Sequence, residues 1–432
     1  MKVAFYTLGC KVNQNETGAM QQLFCENGFT LAQSDETADV YIVNSCTVTS
    51  GGDKKSRQWL RRAKRTNPEA VTVLTGCFPQ AFEQEARAVT EADIITGSAA
   101  RKQLVAHVLR FIQTRERIID IVPHSKEEAF EELPMEQMAG HTRAFMKIED
   151  GCNRRCAYCV IPRARGFVRS RREENILREL EILGKAGYRE VVFSGINLSS
   201  YGTDTGTTLE ALTQKAALVP GIERIRLGSL EPDLCTDAFI EALAEVPAFC
   251  PQFHLSLQSG CTKTLRAMRR IYTAEEYKDV VRKIRRAIPD AVFTTDVIVG
   301  FPGETEEDFA ESLRFVEEIG FLKVHVFTYS SRPGTPAAEM PGHLSEAEKL
   351  SRNHRLQQAA DAVRARIIGE MEGQEDVVLT ETPIAKDTYT GYTRRYVPVV
   401  VKAPGLSQGM LVPVRLGAWD AEKERCEAIP LL

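Results

Sequence analysis

Six of the eleven cysteines fall into two sets of three, and each set suits an iron–sulfur cluster with one iron left open. The compact set is Cys152, Cys156 and Cys159, in Gly-Cys-Asn-Arg-Arg-Cys-Ala-Tyr-Cys; the dispersed set is Cys10, Cys46 and Cys77. Thiolates are the usual protein ligands of such clusters, and four would saturate one. Three leave an iron free to bind something that reacts, and two such sites in one chain point to chemistry on substrates rather than electron storage alone. The competing ion for the compact set is zinc. Structural zinc takes four closed ligands, often as two Cys-x2-Cys-like pairs, and the nearest histidine here is His141. For the dispersed set the competing reading is packing, because free cysteine is often buried as a small apolar residue. Cys25, Cys235, Cys250, Cys261 and Cys426 show no comparable pattern and read as structural.

The elements that must position these thiols can be read from hydrophobic patterning. Strands are expected at Val3–Leu8, Asp39–Asn44 and Val71–Thr75, with helices at Asn15–Asn27, Lys54–Thr66 and Pro79–Val89. Such βαβ repetition implies an open parallel sheet with covering helices. Cys10, Cys46 and Cys77 each follow one of the three strands. The carboxyl ends of parallel strands share one edge, where ligands bind, so residues distant in sequence converge there.

A polar stretch with acidic pairs, Pro134 and Gly140 reads as a linker over 124–142, after a first domain at 1–123. A middle domain follows at 143–368 with six strand candidates: Ala144–Glu149, Val191–Ser194, Arg224–Leu227, Phe253–Gln258, Val292–Val299 and Lys323–Thr328. Helical patterns between them, including Glu173–Gly187, Ala274–Ala287 and Glu306–Ile319, make this a partial (β/α)6 barrel. Reactive groups gather on the loops after barrel strands, and the compact cysteines follow the first strand. The tail, 370–432, carries short strands at Val377–Thr380, Tyr396–Val401 and Leu411–Val414 and reads as a small all-β module.

The 432-residue chain has ordinary composition, 43% hydrophobic and 26% charged, and a formal net charge of −4. Global charge therefore predicts no nucleic-acid partner. No leader-like start and no apolar run of membrane-spanning length are expected. Many unpatterned cysteines fit a reducing, cytoplasmic setting. Local charge says more. Lys54, Lys55, Arg57, Arg61, Arg62, Lys64 and Arg65 load one helix, and Arg154, Arg155, Arg163, Arg165, Arg169, Arg171 and Arg172 surround the compact cysteines. Phosphate contact is expected from such runs beside a reactive site.

Cys152-x3-Cys156-x2-Cys159, with Tyr158 before the last cysteine, resembles the radical S-adenosylmethionine enzymes. Thr-Leu-Gly-Cys10-Lys-Val-Asn, Val-Asn-Ser-Cys46-Thr-Val and Thr-Gly-Cys77 resemble the N-terminal domain of the methylthiotransferases among them. Further segments match: Ile161-Pro-Arg-Ala-Arg-Gly-Phe-Val-Arg-Ser-Arg171, Leu257-Gln-Ser-Gly-Cys-Thr-Lys-Thr-Leu-Arg-Ala-Met268, Thr295-Asp-Val-Ile-Val-Gly-Phe-Pro-Gly-Glu-Thr305 and Tyr329-Ser-Ser-Arg-Pro-Gly-Thr335. The resemblance covers essentially the whole chain. It implies two 4Fe-4S clusters and S-adenosylmethionine as cofactors. The Cys152/Cys156/Cys159 cluster would cleave S-adenosylmethionine to a 5′-deoxyadenosyl radical, and the Cys10/Cys46/Cys77 cluster would carry an extra sulfur that is methylated and transferred. The resemblance further implies that Tyr158, Ser194, Gly195, Gln258 and Gly300 line the cosubstrate pocket. Ser194-Gly195-Ile196 stands where many radical enzymes have a Gly-Gly-Glu-like motif.

The tail resembles a TRAM domain, a β module associated with RNA. The resemblance implies a tRNA partner, together with an electron donor and a sulfur donor. Among the family's branches, Cys10-Lys-Val-Asn and the tyrosine-rich start of the tail look most like the one that methylthiolates C2 of N6-threonylcarbamoyladenosine at tRNA position 37. The alternatives are the same chemistry on isopentenyladenosine in tRNA or on a ribosomal-protein aspartate, and a non-catalytic iron–sulfur RNA-binding or electron-transfer protein. Arginine pairs bidentately with carboxylates, so Arg394 or Arg395 is expected to read the carboxylate of the threonylcarbamoyl group.

Overall fold

The computed structural model describes residues 1–33, 36–133 and 142–431. The N-terminal portion is a six-stranded, all-parallel sheet in the order Thr30–Leu31, Lys2–Thr7, Val40–Ser45, Val71–Gly76, Ile94–Thr96, Ile118–Asp120. The order reverses direction beside Lys2–Thr7, which makes that strand's carboxyl end the natural crevice of the sheet. The three expected strands are present. The three short ones, of two or three residues, carried too little pattern to be read.

The helices differ in informative ways. The first begins at Lys11, immediately after Cys10, because Gly9 at φ +112° turns the chain directly from strand to helix. The second begins at Ser50, where the Thr49 side chain accepts a hydrogen bond from the Gly52 N–H. The expected Pro79–Val89 helix is two short ones, Cys77–Ala81 and Glu83–Arg87, broken at Phe82.

The middle portion contains all six expected strands, side by side and parallel, in two arcs: Arg143–Lys147, Glu190–Ser194 and Arg224–Leu227, then Ser229–Leu230, Gln252–Leu255, Val292–Val299 and Lys323–Thr328. Gly228 interrupts the third strand and joins the arcs. This is a partial barrel, filled outside by helices whose apolar faces form the largest core of the molecule. A long helix, Glu346–Gly369, with a Ser345/Glu348 capping box, leads into the tail.

The tail is a closed five-stranded barrel rather than three strands: Glu375–Ala385, Thr388–Thr393, Pro398–Lys402, Leu411–Asp420 and Arg425–Pro430. Closure removes the exposed edges that a three-stranded module would leave. Tyr396 sits in a turn at φ +64°, outside the strand expected to begin with it. The barrel is fastened to the middle portion by Arg226, which donates to the carbonyls of Thr393 and Arg394 at 3.3 and 3.2 Å.

Pro134, Gly140 and His141 of the expected linker lie outside the described residues. Its described part is bound to the body rather than free: Glu131 pairs with Arg101 at 3.0 Å, and Glu132 with Arg171 at 2.7 Å.

Candidate active site

The dispersed cysteines come together at the carboxyl edge of the first sheet. Asn13 organises them. Its Nδ2 donates to the carbonyls of Leu8 and Ser45 at 2.8 and 3.0 Å, tying two strand ends together. Its Oδ1 lies 3.8 Å from Cys10 Sγ and 4.0 Å from Cys77 Sγ. Gly9 leaves the space Cys46 occupies, since a Cβ there would stand 2.8 Å from the Cys46 Cβ. Gly76, at φ +98°, likewise lets Asn44 and Ser45 close against the third strand end.

Burial, reinforced by the neighbouring thiols, pushes the Cys77 thiol up to about 12, against the pull of Arg165. Cys46 is raised for the same first reason. Arg165, fully buried, donates from Nε to Cys77 Sγ at 3.2 Å. A guanidinium held against sulfur is well matched to a thiolate, the state that ligates metal.

In the compact set the backbone wraps tightly. Gly151, at φ +87°, approaches Phe167 so closely that a Cβ would sit 1.8 Å from its carbonyl oxygen. The Cys152 N–H donates to the Gly166 carbonyl at 3.0 Å, and Ala157 N–H to Met268 at 2.9 Å. Burial raises the Cys152 thiol to about 11 and the Cys159 thiol to about 12. Arg270 Nη1 donates to Cys156 Sγ at 3.3 Å, so this set too has a buried guanidinium on one sulfur. Tyr158 packs edge-on against Phe301, 6.5 Å between centroids.

No three of the described Cys, His, Asp or Glu side chains converge on a single metal-ion position. Three thiols per site, spread over one strand edge or one loop and each site matched by an arginine, fit separate irons of a larger anionic cluster.

A buried ion network joins the two sites. Arg165 lies at the end of the short helix Ile161–Arg165 that leaves Cys159, and it also pairs with Glu16 at 2.5 Å and Asp150 at 3.4 Å. Lys147 bridges the same two carboxylates at 2.8 and 2.6 Å, and Arg101 reaches Glu16 at 2.9 Å. Burial alone would raise Glu16, but Arg101, Arg165 and Lys147 hold it at about 2. Asp150, two residues before Cys152, is held below the carboxylate range by Lys147 and Arg165, which outweigh its burial.

The remaining expected pocket residues are placed as follows. Ser194 ends the second barrel strand and donates to the Met146 carbonyl at 3.1 Å. Gly195 leaves room for Glu149, whose Oε2 would stand 2.6 Å from a Cβ there. Glu149, missed in the sequence, is fully buried. Its Oε2 accepts from the Asn197 N–H at 2.7 Å while Oε1 has no partner, and burial raises its carboxyl well above the usual range. Gln258 adopts φ +69°, a strained conformation of the kind that clusters at functional sites. Gly300 adopts φ +72°, and a Cβ there would meet the Lys349 side chain at 2.3 Å, so both backbone and packing favour glycine.

Two expectations are corrected. Arg395 is buried and commits its guanidinium to Asp376 at 3.0 Å and Gln374 at 2.5 Å. Arg394 donates to the carbonyls of Pro247 and Phe249 at 2.7 and 2.9 Å. Neither offers a free fork to a substrate carboxylate; Arg394 joins the middle portion to the tail, and Arg395 is bonded within the tail. The arginine run around the compact cysteines is also mostly internal. Arg154 pairs with Asp233, Arg163 with backbone carbonyls, and Arg169 and Arg171 with buried or half-buried acids. On the helix Ser50–Thr66, by contrast, Lys54, Lys55, Arg62 and Arg65 are exposed and form no ion pair among the described residues.

Comparison with known proteins agrees with this architecture. Residues 146–316 match the Radical SAM superfamily, and residues 2–97 match Uncharacterized protein family UPF0004. The chain is 39% identical over 420 residues to the threonylcarbamoyladenosine tRNA methylthiotransferase MtaB of Bacillus subtilis, covering 96% of this chain and 93% of that protein. It is 34% identical over 449 residues to the tRNA-2-methylthio-N(6)-dimethylallyladenosine synthase of Symbiobacterium thermophilum, covering 99% and 95%. The chain belongs to the radical S-adenosylmethionine methylthiotransferase family. Its cofactors are accordingly 4Fe-4S clusters and S-adenosylmethionine. The fold is also that of the radical S-adenosylmethionine methyltransferase TsrM from Kitasatospora setae, at TM-score 0.58 and 14% identity over 78% of this chain and 74% of that one.

The network sets two expectations. Glu16→Gln should destabilise the iron-free protein by about 3 kcal/mol at neutral pH, because a buried carboxylate is removed from cations that keep their charge. Glu16 is depressed on folding, so its contribution is complete above its ordinary value near 4.5 and is lost as pH falls toward about 2. Urea midpoints of wild type and variant should therefore converge across that window. Separately, Arg395→Ala should lower thermal stability, by roughly 3 kcal/mol for stranding Asp376, while leaving discrimination between modified bases intact. Scanning calorimetry beside a substrate-competition assay checks both halves.

Proposed function

We propose that this methylthiotransferase modifies tRNA in the cytoplasm, placing a methylthio group on C2 of N6-threonylcarbamoyladenosine at position 37. The observation that carries the chemistry is the pair of three-cysteine sites joined through Arg165. The substrate rests on the 39% relative named for threonylcarbamoyladenosine, against 34% for the one named for dimethylallyladenosine.

Cys152, Cys156 and Cys159 would hold the cluster that binds S-adenosylmethionine, and Cys10, Cys46 and Cys77 the auxiliary cluster. When bound, these groups supply the radical, methyl and sulfur chemistry of the transfer. The protein's own part is positional. Asn13, Gly9 and Gly76 bring three strand ends within reach of one another. Arg165 and Arg270 offset negative charge at one sulfur of each set. Tyr158 closes one wall of the compact site. Glu149, with one carboxyl oxygen unpartnered beside Ser194 and Gly195, supplies a buried acceptor suited to an ammonium group of the cosubstrate. The exposed Lys54, Lys55, Arg62 and Arg65 offer a basic surface to the phosphate backbone.

The test separates the two sites. Replacing Cys152, Cys156 and Cys159 with Ala should abolish reductive cleavage of S-adenosylmethionine. Replacing Cys10, Cys46 and Cys77 should leave cleavage in place and stop methylthiolation. Mass spectrometry of tRNA nucleosides from a host lacking the gene should show unmethylthiolated threonylcarbamoyladenosine. Accumulation of the isopentenyl base instead would overturn the substrate and keep the mechanism.

A further inference from the structure

Lys11 differs from every other charged group around it. Its side chain is exposed where the three portions of the molecule meet, its neighbours being Arg143 and Arg226 from the barrel strands and Tyr396 from the tail. Arg143 pairs with Glu381 at 2.6 Å, Arg226 with Glu190 at 3.0 Å, and Asp296 with His254 at 3.4 Å. Lys11 has no carboxylate within ion-pairing distance among the described residues. Its Nζ stands 5.9 Å from the centre of the Phe145 ring, and the Arg143 guanidinium lies 5.8 Å from the same ring. Lys11 is also the first residue of the helix Lys11–Glu26, whose first turn contains no acid. A cation there opposes the helix dipole. One cation thus stands beside like charges and a helix N-terminus with no carboxylate in ion-pair contact among the described residues, Glu190 and Asp296 acting on it only from farther away.

The surroundings suit a base. Tyr392 and Tyr396 stack at 4.6 Å, with Arg143 over both rings at 4.9 and 5.6 Å, and Tyr396 is held at φ +64°. Aromatic and guanidinium planes of this kind take unstacked bases. Positions 2 and 6 of adenine flank N1 on one edge of the ring. A base presenting C2 to the Cys10 site therefore presents its N6 substituent within a few ångströms of the same place, and Lys11 is the residue next to Cys10.

We infer that Lys11 is the specificity residue that reads the carboxylate of the N6 substituent, completing an ion pair that the protein itself leaves open. The inference rests on the threonylcarbamoyladenosine substrate proposed above. It moves the reading of that carboxylate from the tail arginines to the first turn after Cys10.

The experiment uses the full-length, cluster-loaded protein and two anticodon stem-loops, one carrying threonylcarbamoyladenosine and one carrying its neutral carboxamide. Binding is read by fluorescence anisotropy and turnover by nucleoside mass spectrometry. Wild type should favour the carboxylate by roughly tenfold or more, the scale of one charge-assisted hydrogen bond. Lys11→Gln should collapse that preference toward unity while binding the carboxamide as wild type does, and Lys11→Arg should restore it. Iron content and S-adenosylmethionine cleavage equal to wild type show that the Cys10 turn is intact. A preference that survives in Lys11→Gln overturns the inference. So does an equal loss on both stem-loops, which would make Lys11 a phosphate contact. Wild type that methylthiolates both stem-loops without preference overturns the inference and leaves the proposed function standing. Wild type inactive on both, yet active on an isopentenyladenosine stem-loop, overturns the two together.

Discussion

Arg165 is the group on which the two reactive sites depend in common. It is fully buried, and burying an isolated cation costs several kcal/mol even after relaxation. Its five donors therefore have to be satisfied, and what satisfies them is drawn from both sites. Cys77 follows the strand Val71–Gly76 of the first sheet, Asn13 and Glu16 belong to the helix after Cys10, and Asp150 to the two-residue strand before Cys152. Shifting the first sheet against the barrel would strand this guanidinium and two buried carboxylates at once. The relative placement of the two cysteine sets is thus enforced by electrostatics, in a region where apolar packing alone would tolerate sliding.

The same interaction has a chemical side. With the thiols protonated, burial holds Cys77 neutral, and Arg165 faces a weak acceptor. A thiolate ligating iron would present a charge to the guanidinium, and the contact would strengthen as charge-assisted bonds do. Ligation and docking are therefore linked. The state that binds metal is also the state in which the two portions hold each other best, as expected wherever ligand deprotonation is coupled to folding.

Much of this was legible in the sequence because parallel β/α architecture turns strand ends into coordinates. Knowing that Cys10, Cys46 and Cys77 each follow a strand was enough to place them on one edge, and the six barrel strands were recoverable from their apolar runs. The fate of the charges was not legible. Arg165 and Arg163 are two residues apart in one motif, yet one is fully buried on Cys77 while the other lies on the surface, bonded to carbonyls. Periodicity says which face a residue occupies only within an element, and these residues sit where two portions meet. Arg394 and Arg395 misled for the same reason: adjacent arginines beside tyrosines look like a recognition patch until Asp376 and the carbonyls of Pro247 and Phe249 claim them. Glu149 gave no signal at all, since a lone acid at the end of a strand is ordinarily solvated.

The surroundings of Lys11 follow from these constraints. The buried network fixes the first sheet on the barrel, and Arg226, bonded to Thr393 and Arg394, fixes the tail on the same barrel. Where the three meet, the nearby acids are committed elsewhere: Glu190 to Arg226, Glu381 to Arg143. Lys11 therefore stands exposed and without an ion-pair partner among the described residues, one residue from Cys10, and discrimination comes from the charge-assisted contact it makes with an anionic substituent. A neutral N6 substituent of similar size would meet the same aromatic walls and lose only that charge, so selection among modified adenines can rest on one side chain without altering the reaction at C2.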